Sequence, residues 1–205
     1  ATGDPIAAWF TRLNFSDVER DNYLAGNVLD WRDLTYQTAF NQDYTVSVSG
    51  KNDNVSYYTS FNYLNNESNV VGGGFSAIRA RLNLEAKVTD FLSFGVNTQF
   101  TSRDESYISA VGYQALSPYG SLYEADGKTY KYYPNDNLNG YNPFIDRHYT
   151  TRSDEYNILN SAFYLKLSLP WGFSIQSTYS PRYQWRQYLN HKSTEHPLWG
   201  DIKDT

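Results

Sequence analysis

The sequence predicts an all-β protein: an antiparallel meander of about six strands, part of a large transmembrane β-barrel, with short helices before the first strand. Three observations predict it. Runs of about eleven residues alternate between apolar and polar side chains, as Ile78, Ala80, Leu82, Leu84, Ala86 and Val88 do against Arg79, Arg81, Asn83, Glu85 and Lys87. Successive side chains on a strand point to opposite faces, so each run has one apolar and one polar wall. Connections between runs alternate in length, with short turns near Lys51, Asp90 and Trp171 and long loops at 65–75 and 101–154. Outer-membrane barrels keep short turns on the periplasmic side and long loops outside. Aromatic residues flank the runs: Phe91, Trp171 and Phe173 by the short turns, Phe61, Tyr63 and Phe100 toward the long loops, as expected at the two membrane interfaces. Eleven residues at ~3.3 Å rise, tilted by ~45°, cover roughly 25 Å, the height of a barrel's apolar band.

Composition agrees. Mean hydropathy is −0.65, and no stretch has the roughly eighteen apolar residues of a membrane helix. A barrel strand puts only alternate residues in lipid, so low mean hydropathy is compatible with a membrane. With 20 Tyr and 5 Trp among 205 residues, the aromatic excess suits interfacial girdles or ligand-stacking loops. The absence of Cys removes disulfides and thiolate metal sites. A net charge of −5 argues against nucleic acid as a partner. The chain lacks an initiator Met and a signal peptide, which reads as a piece of a longer chain.

In chain order, residues 1–42 read as a loop and helical segment. Asp4-Pro5 suits a cap followed by Pro at the first helical position, with a short helix through Trp9. Ser16-Asp17-Val18-Glu19 fits a capping box, with Gly26 past the helix end. Asp30 caps a third short helix carrying Trp31 and Leu34. Residues 43–187 form the partial barrel. Tyr44, Val46 and Val48 face one way and Thr45, Ser47 and Ser49 the other. A turn at Gly50-Lys51-Asn52-Asp53 leads to Val55, Tyr57, Thr59, Phe61 and Tyr63. After a polar loop with Gly72-Gly73-Gly74 comes the hairpin from Ile78 to Phe100, turning at Thr89-Asp90-Phe91. The long loop 101–154 is rich in Tyr, including Tyr107, Tyr113, Tyr119 and Tyr141, and Asp126-Gly127 suits an inner hairpin turn. Alternation returns at Leu159–Leu169, turns at Pro170-Trp171-Gly172 and continues to Tyr179. Residues 188–205 read as a loop tail.

Six strands cannot close a membrane barrel, whose smallest members have about eight. Open edges in lipid would leave backbone groups unpaired at several kcal/mol each, so the sheet needs neighbouring strands.

The run Asp30-Trp31 to Phe40, then Tyr44-Thr45-Val46-Ser47-Val48-Ser49-Gly50 and Val55-Ser56-Tyr57-Tyr58, resembles the barrel of SusC/RagA-type TonB-dependent outer-membrane transporters. So do Phe75, Arg81-Leu82-Asn83-Leu84, the Asp90 turn, Asp126-Gly127 and Asn142-Pro143. The sequence departs from that pattern at Lys51, Ser68 and Ala77. The resemblance implies import of nutrients such as glycans or peptides across the cell outer membrane. It also implies a surface lipoprotein partner of the SusD type and coupling to TonB through an N-terminal part that this sequence does not contain.

Candidate site residues follow from the two walls and the long loop. Leu82, Leu84, Phe94 and Val96 would face outer-membrane lipid; Arg79, Arg81, Asn83, Glu85, Asn97 and Gln99 would face the lumen. A polar lumen wall packed against water or the family's N-terminal plug is the plainer account of the charged residues, and a solute path the sharper one. Tyr119, Tyr123, Tyr132 and Tyr133 either bind an oligosaccharide or peptide solute through their ring faces or pack the loop on itself. His148, His191 and His196 lack metal-ligand spacing, and Asn135-Asp136-Asn137 lacks the spaced acids of a calcium loop, so no metal is assigned. No cofactor motif and no catalytic Ser-His-Asp set or acid pair stands out, so an enzyme is not expected. The alternative is a secreted β-sandwich that binds carbohydrate or acts as an adhesin. The apolar face discriminates: a sandwich packs it on a second sheet, a barrel leaves it to lipid.

Overall fold

The computed structural model describes residues 5–111, 115–136 and 140–198. Its frame is one antiparallel sheet. β1 (Asn41–Lys51), β2 (Val55–Glu67), β3 (Gly74–Lys87), β4 (Leu92–Asp104) and β5 (Thr150–Ser168) pair in sequence order, and both β6 (Ser174–Tyr179) and β7 (Arg182–Lys192) pair with β5. Register follows the alternation. Val46, Phe61, Ala80, Phe100 and Leu159 lie in one row across five strands, and Leu84, Val96, Phe163 and Tyr179 in another. Rows alternate between a mainly apolar and a mainly polar wall, and a one-residue slip would turn every side chain to the wrong one.

The short turns are local chemistry. Asn52 Oδ1 accepts from the amides of Asn54 and Val55 at 2.9 and 2.7 Å. Thr89 Oγ1 accepts from Leu92 N at 3.1 Å, and Lys87 Nζ reaches Asp90 at 2.7 Å. Such side-chain bonds replace the ladder bonds a turn gives up. At Pro170-Trp171-Gly172 the chain reverses with Trp171 at φ +61° and Gly172 at φ +80°, and Trp171 is 92% exposed. Two strand glycines are covered by the aromatic ring of their own register partner: Gly50 by Tyr57 and Gly95 by Tyr164. The missing Cβ is what lets each ring lie flat across the neighbouring strand.

Two expectations are corrected. Strand pairing runs through Lys192, so residues 188–192 are strand and not loop tail. β6 and β7 share one register on β5, Phe163 opposite Tyr179 and Asn160 opposite Arg182, and are a single strand interrupted at Pro181. Ser161 N donates to Pro181 O at 3.0 Å, but proline has no N–H to return the bond. The long loop is also shorter than expected: β4 reaches Asp104 and β5 begins at Thr150.

Three helices precede the sheet. α1 (Pro5–Leu13) runs beyond Trp9; its expected cap Asp4 lies outside the described residues. α2 (Asp17–Ala25) has the full capping box, with Ser16 accepting from Glu19 N and Glu19 bonding Ser16 N, and ends on Gly26 at φ +73°. α3 (Trp31–Thr35) is capped by Asp30, whose Oδ1 accepts from Arg32 N and Asp33 N. No helix among the described residues is long and apolar enough to cross a membrane.

Apart from Gly95 beneath the Tyr164 ring, the buried residues do not lie along the middle of the sheet. They gather at its long-loop end: Trp31, Ala110, Pro134, Asn142, Pro143, Ile145, Tyr149, Asp154 and His196. A single-layer sheet buries neither face, so only the end where loops and helices fold over it acquires a core.

Candidate functional site: the two walls and the loop end

One wall of the sheet is a continuous exposed apolar surface. Val46 is 75% exposed, Phe61 52%, Leu165 45% and Ile175 59%, and no element among the described residues covers them. Leu82, Leu84, Phe94 and Val96 sit in the middle of this wall. The hydroxyls placed among them turn inward. Thr98 Oγ1 and Ser161 Oγ are 2.7 Å apart, and Thr59 Oγ1 donates to Arg81 O at 3.1 Å. Soluble monomers rarely expose contiguous apolar patches larger than a few hundred Å².

The opposite wall carries Arg79, Arg81, Asn83, Glu85, Asn97 and Gln99 together. Arg81 Nη2 donates to Gln99 Oε1 at 2.7 Å, and Arg79 Nη1 to Asn62 Oδ1 at 3.4 Å. Glu85 and Tyr164 share a row on this wall across Gly95. A shallow groove of about 300 Å³ is lined by Arg81, Asn83, Asn97, Gln99 and Asn160.

At its upper end this wall holds an ionic cluster that the sequence does not announce. β5 has 19 residues, several more than the roughly ten needed to span a bilayer, so its first third stands above the apolar band. There Asp154, fully buried, is bonded bidentately by Arg186, Nε at 2.6 Å and Nη2 at 2.7 Å, and again by Arg152 Nη2 at 2.7 Å. Those guanidinium hydrogen bonds hold the Asp154 carboxyl well below the usual carboxylate range. The Tyr188 ring lies 5.3 Å from the Arg186 guanidinium and 5.6 Å from that of Arg152. Asp154 N donates to Ser106 Oγ, and Glu105 N to Asp154 O, which ties the loop's base to β5. The sequence alone puts Arg152 and Asp154 in the long loop; the strand pairing of β5 brings Arg186 to them through register.

The described residues of the loop 105–149 pack on one another. Asn142, fully buried, donates through Nδ2 to Leu122 O and Lys131 O at 2.9 and 3.0 Å, and its Oδ1 accepts from Phe144 N at 3.1 Å. The Asp126-Gly127 turn forms as expected: Gly127 has φ +69°, Tyr123 and Tyr130 bridge across it, and Asp126 accepts from Lys128 N, Thr129 N and the Thr129 hydroxyl. Those bonds, the Thr129 hydroxyl first, lower the Asp126 pKa. α4 (Ile145–Tyr149) closes the loop. Burial pushes the Asp146 carboxyl up, but bonds from Lys192 Nζ at 2.9 Å and His196 Nε2 outweigh it and the net shift is downward. The loop docks on the helices: Trp31 Nε1 donates to Ser117 O and Asn22 Nδ2 to Tyr119 O, both at 2.8 Å.

The four candidate tyrosines do not form one patch. Tyr119 packs against Tyr23 and Phe15, ring centroids 5.3 and 5.7 Å away. Tyr132 lies between Tyr133 at 4.6 Å and Tyr141 at 5.9 Å, and burial raises its pKa. Tyr123 meets Tyr130 at 5.0 Å and is 38% exposed. Tyr113 and Asn137 lie outside the described residues. No group of three or more His, Cys, Asp or Glu side chains that could hold a metal occurs among the described residues.

No protein-family model matches the chain. It is 30% identical over 174 residues to TonB-dependent receptor P26 of Formosa agariphila, which covers 82% of this chain and 17% of that protein. Among solved structures it is similar to the RagAB peptide transporter, with a TM-score of 0.64 and 18% identity over 78% of this chain and 19% of that one. The RagAB peptide importer in its closed-closed state gives a TM-score of 0.60 over 75% of this chain. The chain thus spans under a fifth of the length of the relatives it matches.

Proposed function

Because this chain belongs to the TonB-dependent receptors, with barrel strands of SusC/RagA type, we propose that it forms part of the wall of an outer-membrane transporter that imports nutrients such as glycans or peptides. The observation that carries this reading is the uncovered apolar wall, continuous from β1 to the β6–β7 strand. Lipid is the solvent that makes such a wall favourable, and a closed barrel is the arrangement that satisfies every strand edge within it. The apolar wall, with Leu82, Leu84, Phe94 and Val96, faces lipid; the wall with Arg79 and Arg81 faces the lumen. The loop 105–149 and the helices lie outside the cell, since β4 leaves the short turn at Asp90 and runs toward them. TonB, acting through another part of the full-length protein, supplies energy, and a surface lipoprotein of the SusD type covers the loop end.

The secreted β-sandwich alternative requires a second sheet over the apolar wall, and the described residues place none there. The test is full-length protein in liposomes with brominated lipids. Fluorescence of Trp185, in the row of Ser102 and Asn157 on the apolar wall, is quenched if that wall faces acyl chains. A folded, water-soluble protein whose tryptophans are untouched by brominated lipid refutes the reading.

A further inference from the structure

The polar wall carries more positive charge than its composition requires. From the row of Arg81 upward it holds six arginines among the described residues. Arg81 and Arg182 share a row through Gln99 and Asn160. Arg79 stands in the next row, Arg103 and Arg186 in the one above it, and Arg152 higher on β5. Rows two residues apart on a strand are ~7 Å apart, so the series rises about 27 Å from Asn160 to Arg152. Among the described residues, three carboxylates share that stretch of wall. Asp154 is taken by Arg186 and Arg152, Glu105 by Arg103, and Asp43 accepts from Asn62. Arg79, Arg81 and Arg182 have no carboxylate within 4.0 Å among the described residues. Each instead donates one hydrogen bond to a neutral amide: Asn62, Gln99 and Gln184 respectively. A guanidinium has five N–H donors, so most of the donors of all three have no protein partner among the described residues. A single exposed arginine needs only water. Six on one face of a chain whose net charge is −5 form a positive track along a wall that the low-dielectric sheet helps to focus.

We propose that this track binds and guides oxyanion-bearing oligomers, so that the solute carries carboxylate or sulfate groups along its length. Planar guanidinium forks match carboxylate and sulfate oxygens in pairs. Arg81 and Arg182 are about 14 Å apart across three strand spacings, with Gln99 and Asn160 between them in the row and Asn83 and Asn97 in the row below, and these four amides line the groove at Arg81. Those amides suit the hydroxyl or peptide groups between successive anionic groups. The proposal rests on the transporter reading, since it needs this wall to face the lumen.

The test uses full-length protein, purified in detergent, with three probes of equal length: hexagalacturonate, hexaglutamate and maltohexaose. At least one acidic oligomer should bind more tightly than the neutral one. Arg81→Gln with Arg182→Gln should weaken that acidic binding by about tenfold or more. Whichever acidic probe binds identifies a saccharide or a peptide backbone. The proposal is overturned if neither acidic probe outperforms maltohexaose, or if the double variant binds as the wild type does. It is also overturned if the variant instead loosens another segment of the same chain in hydrogen exchange with acidic binding unchanged, which would make the arginines internal partners. The location of the protein, read separately by brominated-lipid quenching, decides the transporter reading alone.

Discussion

Leu84→Arg, set against Asn83→Arg, tests the assignment of the two walls. Leu84 lies in a row with Tyr57, Val96 and Phe163 on the apolar wall, and Asn83 in a row with Tyr58, Asn97 and Ala162 on the polar one. The five positions from Leu84 to Thr89 at the short turn rise ~3.4 Å each along strands tilted by ~40°, about 13 Å along the membrane normal. That is close to half of a roughly 25 Å apolar band, so Leu84 sits near the midplane, where an arginine costs about 2–4 kcal/mol. Near the interface the same residue would cost about 0–1 kcal/mol. At about 1.4 kcal/mol per factor of ten, the folding equilibrium shifts by roughly thirty- to seven-hundredfold. Asn83→Arg adds a charge beside Arg81 on a wall open to water, where like-charge repulsion is worth at most about 1 kcal/mol. The measurement is denaturant unfolding of the full-length barrel in liposomes, with folded and unfolded forms separated by gel mobility. Equal losses for the two variants, or a larger loss for Asn83→Arg, would refute the assignment of the apolar wall to lipid.

Gly95→Ala should cost about 1–3 kcal/mol, because a Cβ there meets the Tyr164 ring. Tyr164→Ala should remove most of that penalty, giving a large coupling in a double-mutant cycle. Asn142→Ala strands the carbonyls of Leu122 and Lys131 and the amide of Phe144. It should cost the loop about 2–4 kcal/mol, read as faster protease cleavage within 105–149 while the barrel stays folded. Asp154 has a depressed pKa in the folded state, so its stabilisation is complete above the ordinary carboxylate pKa near 4 and is lost as pH falls below it toward the native value. Hydrogen exchange at Glu105 and Ser106 should therefore stay slow at neutral pH and quicken only in acid, and Asp154→Asn should show fast exchange at neutral pH as well. If the loop captures solute, changing Tyr119, Tyr123, Tyr132 and Tyr133 to Ala should raise the Kd with the barrel intact. An unchanged Kd would leave those rings as loop packing.

The sequence by itself determined what short-range physics controls. The period of two in Ile78–Val88 and Leu92–Phe100 decides which side chains share a wall, because the pleat sends neighbours to opposite faces whatever the rest of the chain does. Asn52, Thr89 and the Ser16/Glu19 capping box form where they are expected, since each needs only residues two or three positions away. What the tertiary structure decided depends on partners distant in sequence. Residues 188–192 alternate weakly, and they become strand because β5 is long enough to give them a ladder. Arg186 meets Asp154 across 32 positions only through the register of β5 and β7. Asn142 is a polar residue in a polar stretch, and its complete burial follows from the carbonyls of Leu122 and Lys131 being brought to it. The tyrosines divide in the same way. Their number was plain in the sequence, but whether a ring face is free depends on Phe15, Tyr23 and Tyr141 arriving from elsewhere in the chain, and a ring face already packed against another ring is no longer open to a solute.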